Sequence, residues 1–350
     1  MQRADYDLPF LLTYENVAWY ENGKVRILDR RIYPTEIRFV ECTTHQEVAQ
    51  AITDMVTQSA GPYTAAGMGM ALAAYETRGK KEAEQVAYLE KAAHTIAYAR
   101  PTTANRMGKI TSSCLEVGKA ALAKGQDPVE AIFLSTVDSL NRRYSIMDKV
   151  GKHLIRLMPH NGKILTQCFG ETIVGTFLRA AKAENKDLEI FCAETRPYLQ
   201  GARLTSSCAI DLGFPTTVIT DNMVAYAMEY KQIDVFTSAA DSIARDGHIA
   251  NKIGTNQIAI VGQHYEVPYY VTGIPDTDKQ TKADIVIEER DPKQVLEYRG
   301  IPNTLAGVQA IYPSFDITSP SRISGIVTDK GVYAPNDLDT YFKEEQVRFY

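Results

Sequence analysis

The sequence has no excess of positive charge. Its 38 lysines and arginines stand against 43 aspartates and glutamates, which gives a formal net charge of -5, and both signs are spread along the chain. A protein that binds nucleic acid usually presents a basic face, so this balance argues against that class of partner. We therefore expect a small molecule or another protein as the partner, and no nucleic acid.

Long apolar runs are also missing. No stretch approaches the roughly 20 apolar residues that a membrane-spanning helix requires. The first residues, MQRADYDLPFLLTYENVAWY, lack the basic-then-apolar pattern of a secretory signal. We expect a cytoplasmic protein without membrane contact.

Cysteine and histidine do not occur at the spacings of a metal site. The odd number of cysteines leaves at least one thiol unpaired, and none forms a CxxC pair; they are Cys42, Cys114, Cys168, Cys192 and Cys208. The six histidines are scattered along the chain. We expect free thiols and no metal.

With 350 residues, of which 45% are hydrophobic, the chain has enough material for two cores. The first part opens with alternating apolar residues around Asn22-Gly23, which predicts a β-hairpin. From Thr44 to about residue 157 the apolar period is helical, and Pro101 and Pro128 stand where helices are expected to start. We place a domain boundary near residue 150, between a smaller N-terminal domain of a β-hairpin and helices (1–150) and a second domain (151–350).

The second domain alternates strand and helix patterns. The predicted strands are KILTQC, EIFCAET, TTVITDN, DVFTSAAD, VPYYVTG and ADIVIEE, and a helix is predicted over residues 249–265. Apolar, β-branched strands separated by helices are typical of an α/β fold with a parallel sheet. We predict a doubly wound, Rossmann-like domain that binds its ligand beyond the carboxyl ends of the strands.

Cys168 is the first candidate for chemistry. It ends a predicted strand, and Gly170 opens the next helix, so the sulfur is expected near free backbone N–H groups and the positive end of a helix dipole. Such surroundings lower the pKa of a thiol and suit acid/base or nucleophilic work. The alternative is a small buried hydrophobic residue, the usual fate of a free cysteine.

Asp241 occupies the same position after another predicted strand, so the two side chains can converge on one substrate although 73 positions separate them. The alternative is an aspartate that caps a helix. The other four cysteines fall within helix or strand patterns and are read as core residues.

Polar loops surround these two candidates. ETRPYLQGARLT, TDNM and NKIGT offer hydrogen bonds and positive charge for an anion, notably from Gln200, Asn251 and Lys252. In the first domain, the small residues of SAGPYTAAGMGM allow backbone N–H groups near Gly61 to approach a phosphate, or allow close helix packing instead. Arg100 is a candidate to reach the ligand from the helical domain.

In combination these motifs resemble one family. The stretches that carry the resemblance are ILTQC, AETRPYLQGARLT, GFPTTVITDNM, AADSIARDGHIANKIGT, IEERDP, ENGKVRILDRRIYP, ECTTHQEVAQAI and ARPTTAN. They are similar to the methylthioribose-1-phosphate isomerase family, which is homologous to ribose-1,5-bisphosphate isomerases and to regulatory subunits of the translation-initiation exchange factor. Nearly the whole chain is covered.

The resemblance implies a homodimeric aldose-ketose isomerase that needs no cofactor and acts on a sugar phosphate. The family's catalytic cysteine and aspartate match Cys168 and Asp241, and its substrate contacts match Arg100, Gln200, Asn251 and Lys252. The expected reaction converts 5-methylthioribose 1-phosphate, or a closely related 5-substituted ribose 1-phosphate, to the ribulose 1-phosphate. The alternatives are an isomerase of 5-deoxyribose 1-phosphate or ribose 1,5-bisphosphate, and a non-catalytic protein that binds a sugar phosphate or nucleotide.

The sequence also departs from the family pattern. Phe169, Gly170 and Glu171 replace the usual asparagine, alanine and glycine after the cysteine. SAGPYTAAG replaces an RGAP-type phosphate loop and lacks its arginine, and Ser242 replaces an arginine after the aspartate. The resemblance therefore implies that phosphate recognition depends more on backbone N–H groups near Gly61, on Arg100 and on Lys252.

Overall fold

The computed structural model describes residues 3–100 and 104–344, except for the side chain of residue 105. The chain divides into two compact units, one of residues up to Ile146 and one of residues from Met147 onward. In the described ranges, no helix has both the length and the apolar character that crossing a membrane requires.

The first unit opens with a three-stranded antiparallel sheet. Its strands, in spatial order, are β1 (Ala18–Glu21), β2 (Lys24–Leu28) and β3 (Phe39–Cys42). Asn22 and Gly23 form the turn between β1 and β2 with φ of 49° and 78°, the left-handed conformations that a two-residue hairpin turn requires. The hairpin predicted at this Asn-Gly pair is confirmed.

Helices make up the rest of the first unit. They are α1 (Tyr14–Val17), α2 (His45–Thr53), α3 (Gly61–Glu76), α4 (Glu82–Ala97), α5 (Ala104–Ala123) and α6 (Pro128–Ile155). Helix α2 begins with a capping box between Thr44 and Glu47. Pro128 begins α6, as predicted, because a proline in the first turn loses no hydrogen bond. The helix start predicted at Pro101 lies outside the described residues.

A seven-stranded sheet forms the centre of the second unit. Its strands are β4 (Lys163–Gln167), β5 (Glu189–Ala193), β6 (Thr216–Ile219), β7 (Val235–Ala239), β10 (Tyr269–Thr272), β14 (Gly325–Val327) and β15 (Val332–Tyr333), in the order β15-β14-β10-β7-β4-β5-β6. All neighbouring pairs are parallel except β14 with β15. The predicted α/β architecture with a largely parallel sheet is therefore confirmed.

Helices connect most of these strands. They are α7 (Glu171–Ala183), α8 (Ser206–Asp211), α9 (Val224–Tyr230), α10 (Thr255–His264), α11 (Lys293–Leu296) and α12 (Asp339–Lys343). Helix α7 packs closely on the last turns of α6, because Gly151 leaves room for the backbone of Thr176 and Phe177: a Cβ at Gly151 would lie 2.9 Å from that backbone.

Two small antiparallel sheets complete the second unit. One has the order β13-β9-β8, from β8 (Ser242–Ile243), β9 (Ile249–Lys252) and β13 (Phe315–Thr318), and the other pairs β11 (Glu297–Tyr298) with β12 (Ile301–Pro302). The helix predicted from residue 249 is wrong over its first residues. Residues 249–252 form a fully buried strand, and Gly254, with φ of 100°, separates it from α10.

The strand predicted over residues 283–289 is also wrong. Only Glu289 pairs there, in an isolated bridge with Pro313, and Val286 is 86% exposed. The apolar residues of this segment do not enter the central sheet, because β14 already pairs with β10 on that side.

Candidate active site

Cys168 and Asp241 lie at the carboxyl ends of two neighbouring strands. Cys168 directly follows β4, and Asp241 lies two residues after β7, which pairs with β4 in parallel. The chain order reverses between these two strands: β5 and β6 extend the sheet on one side, and β10 and β14 extend it on the other. Such a reversal opens a crevice in which α/β proteins bind their ligands. The two candidates therefore lie at the switch point of the sheet.

The backbone of Cys168 is fixed by two threonines. Its φ of 61° is left-handed, which is uncommon for a residue with a side chain and is costly unless the surroundings enforce it. The Cys168 N–H donates to Thr195 Oγ1 at 2.9 Å. The Thr205 hydroxyl donates to the Cys168 carbonyl oxygen. These two bonds set the direction in which the sulfur leaves the strand.

Thr195 is in turn fixed by the end of β6. Its φ is 66°, and its N–H donates to Asp221 Oδ1 at 2.8 Å. The other oxygen of Asp221 accepts the Arg196 N–H at 2.7 Å. The sequence did not identify Thr195, Thr205 or Asp221 as functional residues, although all three lie in the polar stretches at predicted strand ends. That position was the available signal.

The thiol of Cys168 has a raised pKa. Cys168 is the one cysteine of the five that is not buried as a whole residue, yet burial of its sulfur raises the thiol pKa to about 11. Of the smaller influences, the positive charge of Lys252 lowers the thiol pKa and the negative charge of Asp241 raises it. The Phe169 N–H and Arg290 lower the pKa by less. The lowered pKa expected from the helix terminus is wrong, because the loss of solvation outweighs the N–H group and the cations. The thiol is neutral at pH 7.

Asp241 is exposed and is not a helix cap. It lies between β7 and β8, and its N–H donates to the Ala250 carbonyl oxygen on β9 at 2.9 Å. No helix begins at this position, so the capping alternative is wrong. The negative charge of its carboxylate acts to raise the pKa of the Cys168 thiol.

Strand β9 brings Asn251 and Lys252 to the same place. Both are buried, with 4% and 5% of their surface exposed. The Asn251 amide donates to Thr255 Oγ1 at 3.0 Å, and the Thr255 hydroxyl lies 2.9 Å from Gln167 Oε1 on β4. Lys252 Nζ lies 4.6 Å from the centre of the Phe315 ring. A buried cation beside a thiol is suited to binding an anionic group.

Gln200 lies in the loop that holds Cys168, between Thr195 and Thr205. It is 5% exposed, and its Oε1 finds no hydrogen-bond partner in the described part of the chain. Gly201 follows it because no side chain fits there: a Cβ would lie 1.8 Å from the Ala193 carbonyl oxygen. A buried amide oxygen without a partner is costly and is suited to a ligand hydroxyl.

Gly61 and Arg100 belong to the first unit. The Gly61 N–H donates to the Gln58 carbonyl oxygen at 3.1 Å, and a Cβ at Gly61 would lie 1.9 Å from Thr57 Oγ1. The same Gln58 oxygen accepts a 2.8 Å bond from Arg30 Nη1. Arg30 is fully buried, and the sequence did not single it out. Arg100 is partly exposed.

Two departures from the family pattern have defined surroundings. Glu171 is 2% exposed in the first turn of α7. The Ser242 hydroxyl donates to Asp276 Oδ2 at 2.6 Å. Among the residues that the structure describes, no group of three or more His, Cys, Asp and Glu side chains is placed to hold a metal ion.

The sequence and the fold of this chain are similar to those of known proteins. A sequence model described as the Initiation factor 2 subunit family matches residues 58–335. A methylthioribose-1-phosphate isomerase of Chloroflexus aurantiacus is 34% identical over 330 residues, which cover 91% of this chain and 95% of that protein. Another from Bacillus pumilus is 35% identical over 353 residues, covering 94% and 96%.

Solved structures agree with the sequence comparison. A 5-methylthioribose 1-phosphate isomerase from Pyrococcus horikoshii OT3 superposes with a TM-score of 0.80 at 28% identity, covering 94% of this chain and 96% of that one. The translation initiation factor eIF-2B, subunit delta, from A. fulgidus also gives 0.80, at 27% identity, covering 93% and 97%. On this similarity along almost its entire length, the chain belongs to the methylthioribose-1-phosphate isomerase family, within the Initiation factor 2 subunit family.

Proposed function

We propose that the chain is an aldose-ketose isomerase that converts 5-methylthioribose 1-phosphate, or a closely related 5-substituted ribose 1-phosphate, to the ribulose 1-phosphate. The names of its relatives in Chloroflexus aurantiacus and Bacillus pumilus support the reaction. One observation carries the proposal on the chain's own residues. Cys168 is partly exposed as a residue, and its buried thiol lies under the influence of an acid, Asp241, and a buried cation, Lys252, at the switch point of the sheet.

The substrate explains why two acid/base groups are needed. A phosphate on carbon 1 masks the aldehyde, so the furanose ring must open with the phosphate still attached, before hydrogen moves from carbon 2 to carbon 1. In the proposed mechanism Asp241 exchanges a proton with the ring oxygen or a hydroxyl. Cys168 handles the proton at carbon or at the C2 hydroxyl. Groups of this kind contribute roughly 10² to 10⁴-fold each.

The raised pKa of Cys168 means that its thiol enters the reaction in the protonated form. At pH 7 a thiol with a pKa of about 11 holds its proton, so it is ready to donate one. Donation leaves a thiolate beside Lys252, whose charge stabilises it. The same thiolate can then accept a proton from the substrate.

Substrate binding is assigned to the residues that match the family's contacts and to the small-residue loop of the first unit. We assign the phosphate to backbone N–H groups near Gly61, to Arg100 and to Lys252, and sugar hydroxyls to Gln200 and Asn251. The partnerless Oε1 of Gln200 supports its role. We further propose that residues 151–350 form the catalytic, doubly wound Rossmann-like domain, that residues 1–150 form the smaller domain, and that the protein works as a cytoplasmic homodimer without a cofactor.

A coupled assay tests the reaction. Purified protein is given 5-methylthioribose 1-phosphate, 5-deoxyribose 1-phosphate or ribose 1,5-bisphosphate, and Cys168→Ser is measured beside it. We expect turnover of the first substrate by the wild type, and loss of turnover with retained binding in the variant. Preference for another of the three would reassign the 5-substituent. Binding without turnover of any would favour a regulatory protein, the alternative that the similarity to the eIF-2B delta subunit structure raises.

Isomerisation in deuterated water separates the two routes for hydrogen. Deuterium at carbon 1 of the product indicates a proton that exchanges with solvent through an enediolate. A direct hydride shift from carbon 2 requires the complete absence of deuterium there, because that hydrogen never leaves the substrate.

A further inference from the structure

A two-stranded arm carries Arg290 and Tyr312 toward the thiol of Cys168. The Arg290 N–H donates to the Tyr312 carbonyl oxygen at 2.9 Å, and the Ser314 N–H donates to the Glu288 carbonyl oxygen at 2.8 Å. Residues 312–314 continue into β13, where Phe315 pairs with Lys252 of β9. The arm therefore begins beside Lys252, one of the charges that act on the cysteine.

The arm buries two hydrogen-bond donors that have no acceptor. Tyr312 is 2% exposed and the Arg290 side chain is 10% exposed. Arg290 Nη1 has no hydrogen-bond partner among the residues that the structure describes. The Tyr312 hydroxyl makes no well-formed hydrogen bond there either, although the Arg290 guanidinium faces its oxygen as a donor, so the hydroxyl proton itself lacks an acceptor. The nearest carboxylate oxygen, Glu288 Oε2, lies 3.5 Å from Arg290 Nη2, which is a loose ion pair. Unsatisfied donors this deeply buried are rare in proteins and point to a ligand.

The loop that contains Gln200 also lies near Arg290. The Arg290 guanidinium lies 6.0 Å from the centre of the Tyr198 ring. The Tyr198 hydroxyl accepts a hydrogen bond from Gln294 Nε2 at 3.2 Å. Gln200 lies two residues after Tyr198 in this loop, and its Oε1 also lacks a partner among the described residues. Because Arg290 lies close to Tyr198, the donors of the arm and the acceptor of the loop lie on neighbouring segments.

Arg290 and Tyr312 are both coupled electrostatically to the thiol of Cys168, in different ways. Arg290 lowers the pKa of Cys168, and Cys168 raises the pKa of Tyr312. Burial is the main cause that raises the pKa of Tyr312 to about 12, against a lowering by Arg290. The phenol therefore holds its proton at neutral pH and is available as a donor.

We propose that Arg290 and Tyr312 form an oxygen-binding subsite beside Cys168, which takes the C2 oxygen of the sugar as it gains negative charge when its hydroxyl proton passes to the Cys168 thiolate. The inference rests on the proposed function and extends it to two residues that the family resemblance did not assign. Fixed donors aimed at a developing oxyanion in a water-poor site are among the strongest contributions to catalysis. A guanidinium and a phenol that each have a buried donor hydrogen without an acceptor among the described residues meet that requirement.

Tyr312→Phe is the sharpest test, because it removes only the hydroxyl. We expect kcat for 5-methylthioribose 1-phosphate to fall about 10 to 100-fold, with KM changed by less than about threefold, since the bond strengthens in the transition state. The melting temperature should fall less than in the control variant below, because the Tyr312 hydroxyl makes no well-formed hydrogen bond and loses only its loose contact with Arg290.

Tyr341→Phe is the matched control. Tyr341 is 1% exposed, and its hydroxyl lies 3.2 Å from Asp329 Oδ1, remote in sequence from the site residues. This variant should lose melting temperature and keep kcat. An unchanged kcat in Tyr312→Phe would overturn the inference. So would a result in which Tyr341→Phe lowers kcat and Tyr312→Phe lowers only the melting temperature.

Arg290 variants give the second readout. Arg290→Gln should lower kcat at least about 100-fold, and Arg290→Lys, which keeps the charge without the planar fork, should lower it less. Arg290→Gln should also slow alkylation of Cys168 by iodoacetamide, whereas Tyr312→Phe should leave that rate unchanged. Equal kcat values in the wild type and Arg290→Gln would contradict the proposal.

Calorimetry with the same sugar phosphate separates this inference from the proposed function. If the wild type neither binds nor converts any of the three sugar phosphates, both fail. If the wild type turns over and Tyr312→Phe does so equally well, only the subsite is wrong.

Discussion

Thr195 accepts the backbone N–H of Cys168 at 2.9 Å while both residues adopt left-handed φ angles, 66° and 61°. The two ends of β4 and β5 are thus joined through a side chain where the sheet hydrogen bonds stop. Because left-handed backbone is unfavourable for both residue types, and most of all for β-branched threonine, the arrangement persists only where surrounding bonds enforce it. The direction of the Cys168 sulfur depends on that bond.

Thr195→Val should therefore impair the reaction more than binding. Valine keeps the shape and the β-branch but leaves the Cys168 N–H without an acceptor, which costs roughly 1–3 kcal/mol of stability. We expect kcat to fall about tenfold or more with little change in KM, measured by the coupled assay. Thr216→Val is the control, because Thr216 Oγ1 bonds only to the Phe214 carbonyl oxygen. A variant at Thr195 with normal kcat would show that the bond is structural only.

The raised pKa of Cys168 predicts slow alkylation at neutral pH. With a thiol pKa of about 11, the thiolate fraction and the rate with iodoacetamide should rise about tenfold per pH unit from pH 7 to 9. Mass spectrometry should place the label on Cys168, since the other four cysteines are buried. Lys252→Met should slow labelling further, because it removes the cation that lowers the pKa. A rate that levels off near pH 7 would contradict this prediction.

Asp241→Asn should change activity and alkylation in opposite directions. Loss of the acid/base group should lower kcat by roughly 10² to 10⁴-fold. Loss of its negative charge should lower the pKa of Cys168 and therefore speed alkylation at pH 8. Asp339→Asn, at an exposed carboxylate that pairs with Arg245, should change neither quantity. Slower alkylation in Asp241→Asn would mean that the carboxylate does not act on the thiol.

The sequence predicted the strands that end at Cys168 and Asp241 because apolar, β-branched segments alternated with helix patterns. It could not predict the pKa of Cys168, since burial of the sulfur depends on the whole fold. The strand of Asn251 and Lys252 was missed because a four-residue segment before a helix, with two apolar residues followed by two polar ones, has no distinct strand period. Arg290 and Tyr312 come from a segment more than 100 residues after Cys168, and only the pairing of residues 288–290 with 312–314 brings them close.

Asp316 couples the strand of Asn251 to the start of α10. It pairs with Asn251 in the register of β13 and β9, and its two oxygens accept the N–H groups of Gly254 and Asn256 at 2.8 and 3.0 Å. Burial raises its pKa to about 6, although these N–H groups act to lower it. The folded state therefore holds the Asp316 proton more tightly than the unfolded chain does. The stabilisation that results is complete below about pH 4 and is lost as the pH rises through 6.

Asp316→Asn should remove this pH dependence. Between pH 4.5 and 7.5, the free energy of unfolding should shift in favour of the variant, relative to the wild type, by roughly 1–3 kcal/mol, as measured by urea denaturation. Asp148→Asn is the control of opposite sign. Burial acts to raise the pKa of Asp148, but the hydrogen bonds from Lys152 and Arg179 and their charges outweigh it and the net pKa is lowered, so its contribution is lost only at lower pH. The Asp148 difference should stay constant over the same range, because neither cation titrates there, and a constant Asp316 difference would show that this carboxylate is well solvated.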